Sequence, residues 1–600
     1  MKKINLRKAL PAAAALMLFG QCSIEPIYYT EVTEEVYNSS AGTSDEAAQI
    51  GVWQILAVPF DHLKDYHGRI PMTSLTASNT LTTDEILMPN RNGDWYDDGF
   101  YLNHWYHKWN STTDGYWVYA HDDAVMQGVV KCWDTYKRLE AIDFAAIGFS
   151  DPEKTKKWML AQVKATIAFL YLCGLDHFGG LPLYKTVAEG TSEEAFGRAT
   201  DKETFQFIES TLREVIPDLE VNGANAFNGF FTKGAAAAVL ARLYFNARSY
   251  TKGEDPTAPG ESYDAQCKEV CTDIKNGVYG TYSVAADYRS VFGWSNEYCS
   301  EFIFGISSAK SFREVSGSRP EYGTHYNTMV YLDNKEALSW NGICLSPSLD
   351  MDGKNYRYVT GNLGGPFKLG CPYDKFDSTD VRKQNYVYRG GGQYEGMFLA
   401  GKLINPLTGG VCTADGTREY KQGDTIPMVD IIAQICPTKT YRPNRYEGAM
   451  FAEENSGVRL LKFSPIPNDA DNATRFNPDI PIIRYAEIEF MLAEIAFNDG
   501  DKGTAAKLIN DIRARYFTTT GGDPNPVPDD FDKYRLADEW LIEFLGEGRR
   551  RTDLVRLGLY TTEPWWDHPA DGPGQEYRNR FPIPQHAIDA NPKLTQNPGY

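Results

Sequence analysis

The stretch "RYAEIEFMLAEIAFNDGDKGTAAKLINDIRARYF", residues 484–517, decides the fold class because it holds two amphipathic helices joined by a short polar turn. Apolar side chains recur every three or four residues on both sides of the turn "NDGDKG". The first stripe contains Ile488, Met491, Leu492 and Ile495, and the second contains Ala505, Leu508, Ile509, Ile512 and Tyr516. The two helices are therefore predicted to form an antiparallel hairpin, which must stack on other helices to bury both of its faces.

Helical periodicity also marks earlier parts of the chain. The segment "KWMLAQVKATIAFLYLCGLDHFGGLPL", residues 157–183, is predicted to be helical as far as its Gly-Gly and Pro end. The alanine-rich segment 232–250 leaves room for the close approach of a neighbouring helix, and its predicted partner is 201–219. Helix lengths and small Ala positions are typical of tetratricopeptide repeats, although no strict 34-residue period recurs.

The character of the sequence changes between about 284 and 479. Gly, Pro, Asn and Tyr become frequent there, as in "SGSRPEYGTHYNTMVYLD", and helical periodicity fades. We therefore predict a mainly α fold in which tetratricopeptide-like hairpins, at about 45–283 and 480–560, pack against a loop-rich irregular insertion at about 284–479. Loops of this length in a compact protein usually carry function.

The N-terminus has the pattern of an export signal. Lys2, Lys3, Arg7 and Lys8 precede an apolar run that is too short to span a membrane and that ends at "GQCS". The pattern before Cys22 resembles the bacterial lipobox, which predicts a signal peptide at 1–21, lipidation at Cys22, a tether at 22–44 and the folded domain at 45–600. Acyl chains would hold this domain at a membrane that it does not cross. No later stretch is predicted to span a membrane.

Composition excludes some classes of partner. The chain carries 80 acidic and 60 basic side chains, and the resulting charge of −20 would repel a nucleic-acid backbone. Nine cysteines follow Cys22, an odd number that argues against a complete disulfide framework. Cys267 and Cys271, four residues apart, are predicted to be buried thiols rather than metal ligands, because no second pair accompanies them.

Catalytic signatures are scarce. The sequence has no HExxH motif, no GxSxG nucleophile elbow and no phosphate-binding P-loop. His104 and His107 lie three residues apart, but the sequence offers no obvious third ligand, so no metal site is predicted. Adjacent carboxylates such as Asp97 and Asp98 are expected from an acidic composition and are predicted to be solvated surface groups.

An aromatic cluster stands out instead. In "RNGDWYDDGFYLNHWYHKWNSTTDGYWVYAHDD", residues 91–123, Trp and Tyr alternate with Asn, Asp, Arg and Gly rather than with aliphatic residues. Flat rings suit the apolar faces of a sugar, and neighbouring polar groups suit its hydroxyls. For any single Trp here, packing between helices is the competing interpretation.

The C-terminal region carries the motifs of a known family. Residues 543–558, "EFLGEGRRRTDLVRLG", have the spacing E-G-x-R-x-x-D-L-x-R-x-G, and the chain ends in "NPKLTQNPGY". Together with 165–183, 484–497 and 509–516, these motifs resemble the SusD/RagB family of outer-membrane nutrient-binding lipoproteins. Glu547, Arg550, Asp553 and Arg556 lie at helical spacings that predict ion pairs within the motif.

The resemblance implies a noncatalytic, lipid-anchored protein of the outer membrane that faces the cell exterior. Such a protein would bind a glycan and deliver it to a SusC-like TonB-dependent transporter. No cofactor is implied, although a structural calcium ion is left open. The matching segment makes Arg91, Trp95, Tyr96 and Asn103 ligand-binding candidates, to which Trp294, Tyr322 and Trp340 of the insertion are added as stacking platforms.

Three other functions stay open at this point, one of which is a surface scaffold that binds proteins through its helical repeats. The same architecture would serve to capture a peptide or glycopeptide, which requires a deep cleft rather than an open aromatic surface. An exported, all-helical glycoside hydrolase would require two carboxylates within about 10 Å of each other across a cleft. The sequence does not identify the sugar, the linkage, the chain length or the transporter.

Overall fold

The fold is known from a computed structural model that describes residues 44–67, 74–112, 119–222, 229–293, 295–307, 323–325, 340–349, 366–390, 393–405, 409–414, 420–432, 452–463, 478–519 and 521–600. The helices are α1 (Ser44–His67), α2 (Ser74–Leu81), α3 (Phe100–Trp105), α4 (Gly128–Ala141), α5 (Pro152–Phe178), α6 (Val187–Gly190), α7 (Asp201–Val215), α8 (Lys233–Phe245), α9 (Ala247–Tyr250), α10 (Asp264–Lys275), α11 (Arg289–Phe292), α12 (Pro372–Lys375), α13 (Tyr485–Asn498), α14 (Lys502–Arg513), α15 (Lys533–Phe544), α16 (Arg550–Arg556) and α17 (Gln585–Ala590). A π-helix at Tyr119–Gln127 leads into α4.

Antiparallel helix pairs build the larger part of the molecule. Helix α4 packs on α5, α5 on α7, α8 on α10 and α13 on α14. Capping fixes where several of them begin: Thr200 and Glu203 form a capping box at α7, and Asp501 caps α14. The predicted hairpin is confirmed, with Ile488 and Ile509 fully buried between α13 and α14. Helix α8 contacts its predicted partner α7, but its larger interface is with α10.

Helix α5 is the central helix of the core. Its composition and length of 27 residues would allow it to cross a membrane, contrary to the expectation from the sequence, yet 78% of its apolar window is buried inside the fold. Asp151 caps its first turn, and Gly179, with a φ of 76°, ends it. The apolar side chains of α5 are therefore accounted for by packing between helices.

The strands are short, and all of them except β2 belong to two-stranded antiparallel sheets in the described part of the chain. They are β1 (Ile86–Leu87), β2 (Asn92–Trp95), β3 (Phe302–Ile306), β4 (Cys344–Leu345), β5 (Val387–Gly390), β6 (Gln393–Glu395), β7 (Phe398–Leu399), β8 (Gly401–Lys402), β9 (Pro427–Met428), β10 (Arg459–Leu460) and β11 (Ile480–Arg484). The pairs are β1 with β4, β3 with β11, β5 with β6, β7 with β10 and β8 with β9. Because β11 runs directly into α13, the β3–β11 pair joins the irregular half to the helical half.

Buried ion pairs fasten the C-terminal motif to both halves. Arg484, at the junction of β11 and α13, bonds Glu301, Glu543 and Glu547 at 2.7 to 2.9 Å. The prediction of ion pairs within the motif holds for Asp553 and Arg556, whose side chains lie 2.8 Å apart. It is wrong for Glu547, which pairs with distant cations because it precedes α16 and faces the β11 junction.

The predicted fold class is confirmed as mainly α, with helical hairpins packed against a loop-rich irregular half. Cys267 and Cys271 are buried on α10 with their sulfur atoms 3.9 Å apart and unbridged. The predicted signal peptide and Cys22 lie outside the described residues, as does the predicted tether at 22–44 except for Ser44, which begins α1.

Candidate functional site

A tight backbone turn sets the position of the first candidate residues. Arg91 and Asp94 exchange two backbone hydrogen bonds of 2.9 and 3.1 Å across the dipeptide Asn92-Gly93. Asn-Gly favours such a turn because both residues adopt left-handed backbone conformations easily. Strand β1 lies just before this turn and pairs with β4 of the insertion. This pairing brings the segment after residue 91 next to the residues that follow 340.

Trp95 and Trp340 form the centre of the candidate site. The indole Nε1 of Trp95 donates a 3.0 Å hydrogen bond to the backbone carbonyl of Trp340. The two ring centroids lie 6.1 Å apart with an interplanar angle of 34°, and Tyr101 packs edge-on against Trp95. Both indoles are partly exposed. The structure thus brings together two residues that the sequence analysis chose independently, 245 positions apart.

The backbone around Trp95 is strained. Trp95, Asp97 and Asp98 have φ values of 60°, 41° and 52°, in the left-handed region that side chains with a Cβ disfavour. Each such residue costs about 1–2 kcal/mol relative to a right-handed conformation. Strain of this kind persists only where the surrounding structure enforces it, and it clusters at functional sites. Asp97 and Asp98 themselves are exposed, as predicted for surface acids.

A second hydrophobic cluster packs against the segment that contains Trp95 and Tyr101. Its buried members include Leu81 of α2, Leu345 of β4 and Phe398 of β7, and Trp95 and Tyr101 pack at its margin. Trp95 and Tyr101 therefore rest on packed secondary structure rather than on a free loop, which restricts the orientation of their rings.

The other predicted site residues have different environments. Arg91 is 2% exposed and donates to the backbone carbonyls of Gly342 and Glu453, contacts that are typical of a structural role. Tyr96 and Asn103 are partly exposed, and Tyr96 packs against the main core. Trp294 and Tyr322 lie outside the described residues. The assignment of all these residues to a ligand site remains a prediction.

The aromatic cluster divides into surface and core members. Trp105 and Trp109 are buried, and Trp105 packs against Trp565 and Trp566 of the C-terminal segment. For these two indoles the packing interpretation is the correct one. Tyr106 is partly exposed and donates a 2.5 Å hydrogen bond to Asp567, whose pKa burial raises to about 6. Sequence reasoning missed this contact because Asp567 is 461 residues away.

A groove of about 610 Å³ opens elsewhere on the molecule. It runs between α1 and the end of α4, and its walls include Val52, Ile55 and Ile142. Aliphatic side chains dominate these walls, and no aromatic side chain from the described parts of the chain lines them. The groove is therefore separate from the Trp95–Trp340 pair and lacks the flat rings expected of a sugar site.

The fold defines a class of mainly α proteins in which tetratricopeptide-like hairpins carry an irregular, loop-rich half. A model of the SusD family matches residues 300–600, and the chain belongs to this family. The starch-binding protein SusD of Bacteroides thetaiotaomicron is 26% identical over 465 residues, which cover 76% of this chain and 74% of that protein.

Solved structures agree with the family at the level of the fold. A SusD superfamily protein from Parabacteroides distasonis has a TM-score of 0.63 at 17% identity and covers 93% of this chain and 100% of its own. Surface glycan-binding protein A from Bacteroides thetaiotaomicron, solved in complex with laminarihexaose, has a TM-score of 0.59 at 17% identity, with coverage of 91% and 99%.

Proposed function

We propose that this protein binds an oligosaccharide or polysaccharide at the cell surface without cleaving it. The observation that carries the proposal is the partly exposed pair of Trp95 and Trp340, in which a hydrogen bond and a packed hydrophobic cluster hold the Trp95 ring beside the ring of Trp340. Two indoles inclined to each other offer stacking surfaces to successive sugar units, and the exposed Asp97 and Asp98 offer acceptors for hydroxyl groups.

Relatives with known ligands support this proposal. One relative is named for starch binding, and one structure of the same fold holds laminarihexaose. The ligand of this chain is proposed from its own aromatic surface as a glycan, without a choice of sugar or linkage. We expect modest affinity, because an open site buries little ligand area and must order flexible sugar units.

The proposal includes delivery as well as capture. A lipid on Cys22 would anchor the protein in the outer membrane, facing the cell exterior, beside a SusC-like TonB-dependent transporter that receives the glycan. The lipobox-like pattern of the N-terminus supports the anchor, and membership of the SusD family supports the partnership. Copurification of the protein with such a transporter from detergent-solubilised outer membranes would test this part.

Affinity electrophoresis and calorimetry against a panel of soluble polysaccharides test the binding function. We expect retardation and heat of binding with at least one glycan, and no release of reducing ends during prolonged incubation. Release of reducing ends would instead indicate a glycoside hydrolase. Binding to peptides with no response to any glycan would support the peptide alternative and overturn the proposal.

A further inference from the structure

Three residues from two distant parts of the chain form a buried cluster beneath the aromatic segment. His107 follows α3, whereas His568 and Asp571 lie in the C-terminal segment between α16 and α17. One ligand atom from each residue lies within 4.8 Å of the other two. His107 and His568 are almost completely buried, and the side chain of Asp571 is 3% exposed. The other two residues follow His107 by more than 460 positions, so the sequence around His107 shows no third ligand for a metal.

The hydrogen bonds of His107 show which of its two ring nitrogens is available to a metal ion. Its Nε2 lies 2.9 Å from the carbonyl oxygen of Thr82, which only accepts, so Nε2 carries a proton. Its Nδ1 lies 2.7 Å from Oδ2 of Asp571, which also only accepts while ionised. A cation must therefore stand between Nδ1 and the carboxylate, either a proton or a metal ion. A histidine that donates its other N–H to a backbone carbonyl is the usual arrangement at a metal centre.

His568 supplies the second nitrogen. Its ring lies 4.4 Å from the ring of His107 and stacks on Trp565 at 4.0 Å. Its Nδ1 is buried and makes no hydrogen bond to any residue in the described part of the chain. A neutral imidazole has one lone pair, and this unpartnered nitrogen is where His568 can present it to a ligand.

The carboxylate is already oriented by a second partner. Oδ1 of Asp571 accepts a hydrogen bond from Arg578, which leaves Oδ2 directed at His107. We propose that His107, His568 and Asp571 bind a divalent transition-metal ion of the zinc class. Two imidazole nitrogens and one carboxylate oxygen suit Zn²⁺ and disfavour Ca²⁺, which requires six to eight oxygen ligands. The expected ligand atom of His107 is Nδ1.

The ion would replace the proton between His107 and Asp571. Two ligands at about 2.0–2.1 Å from zinc in tetrahedral geometry lie roughly 3.3 Å from each other, so the present 2.7 Å pair would open slightly on binding. The ion would cross-link residues 568–571 to the segment that follows α3. Helix α3 also carries Tyr101, which packs against Trp95. This role is structural and does not depend on the proposed glycan function.

Calorimetry with ZnCl2 on the tag-free full-length protein tests the proposal. We expect one equivalent of zinc to bind and to raise the melting temperature, and an excess of CaCl2 not to displace it. Asp571→Asn and His568→Ala should each weaken zinc binding at least tenfold. His586→Ala is the matched control, because His586 is an exposed histidine that pairs with Asp122 elsewhere on the surface.

Crystals of the wild-type protein soaked in ZnCl2 give a second measurement that needs no variant to fold. An anomalous peak at the zinc edge between the three side chains would support the site. Absence of zinc binding, a peak at His586 instead, or unchanged binding in Asp571→Asn and His568→Ala would overturn it, leaving a hydrogen bond between His107 and Asp571.

Discussion

Arg550 binds Asp84 through two parallel hydrogen bonds, from Nε to Oδ1 at 2.7 Å and from Nη2 to Oδ2 at 2.8 Å. The two residues are separated by 466 positions, and both are almost completely buried. The Arg550 guanidinium holds the pKa of Asp84 below its usual value in spite of burial. This bidentate pair connects the C-terminal motif to the segment that leads into β1, and hence to the base of the candidate site.

Removal of one partner of this pair should strongly destabilise the fold. Arg550→Ala leaves the Asp84 carboxylate buried and uncompensated, and we expect the free energy of unfolding to fall by about 3–5 kcal/mol. Urea denaturation followed by circular dichroism measures this change. Arg389→Ala is the control, because Arg389 forms an exposed pair with Glu395 and its removal should change the free energy of unfolding far less. Equal losses in the two variants would contradict the interpretation of Arg550.

Glu85 should make stability depend on pH. Burial raises its pKa to about 8, so it stays protonated in the folded protein while the unfolded chain loses this proton near pH 4.5. Its stabilising contribution is thus complete below pH 4.5 and is lost as the pH rises towards 8. Glu85→Gln, which cannot ionise, should be as stable as wild type at pH 4.5 and more stable by a few kcal/mol at pH 8.

Denaturation curves at several pH values test this prediction, with Glu269→Gln as the control on the exposed face of α10. The free energy of unfolding of Glu269→Gln should differ from that of wild type by the same amount at every pH. If the difference in the free energy of unfolding between wild type and Glu85→Gln also stays constant from pH 4.5 to pH 8, Glu85 is ionised in the folded state at pH 8, and the prediction is wrong.

Gly548 of the family motif should tolerate no side chain. Its φ of 72° disfavours any residue with a Cβ, and an added Cβ would lie 3.1 Å from the side chain of Thr76 in α2. Gly500 has a φ of 86° with open space around it, so Gly500→Ala measures the conformational cost alone, about 1–2 kcal/mol. We expect Gly548→Ala to be destabilised by more than Gly500→Ala in thermal melting, and equal shifts would exclude a role for the Thr76 contact.

Trp95→Ala and Trp340→Ala should each reduce glycan affinity about tenfold, because each change removes an indole face that stacks on a sugar ring. Tyr298→Ala is the control, since Tyr298 is 70% exposed and belongs to neither the aromatic pair nor its base. Calorimetry with the best glycan of the panel measures the three affinities. Unchanged binding in both tryptophan variants would move the ligand site elsewhere without excluding glycan binding.

Periodicity in the sequence was sufficient to predict the helical half. The stripes of α13 and α14 have a local cause, because side chains three and four residues apart share one face of a helix and are buried together. The C-terminal motif was recognised from the spacing of its charged and glycine residues, which is also a local feature of the sequence. Its chemistry was only partly predicted, because Arg550 and Glu547 find their partners across the fold rather than within one helix.

The order of amino acids predicts a mainly α chain of hairpins with an aromatic-rich segment and a loop-rich insertion. Packing of the whole chain selects which aromatic rings stay at the surface and places Trp95 against Trp340 and His107 beside His568 and Asp571. These contacts depend on short antiparallel strand pairs, such as β1 with β4, and on packing between segments that lie hundreds of residues apart in the sequence. Such contacts leave no periodic trace in the sequence, because each depends on the packing of the whole chain rather than on the spacing of neighbouring residues.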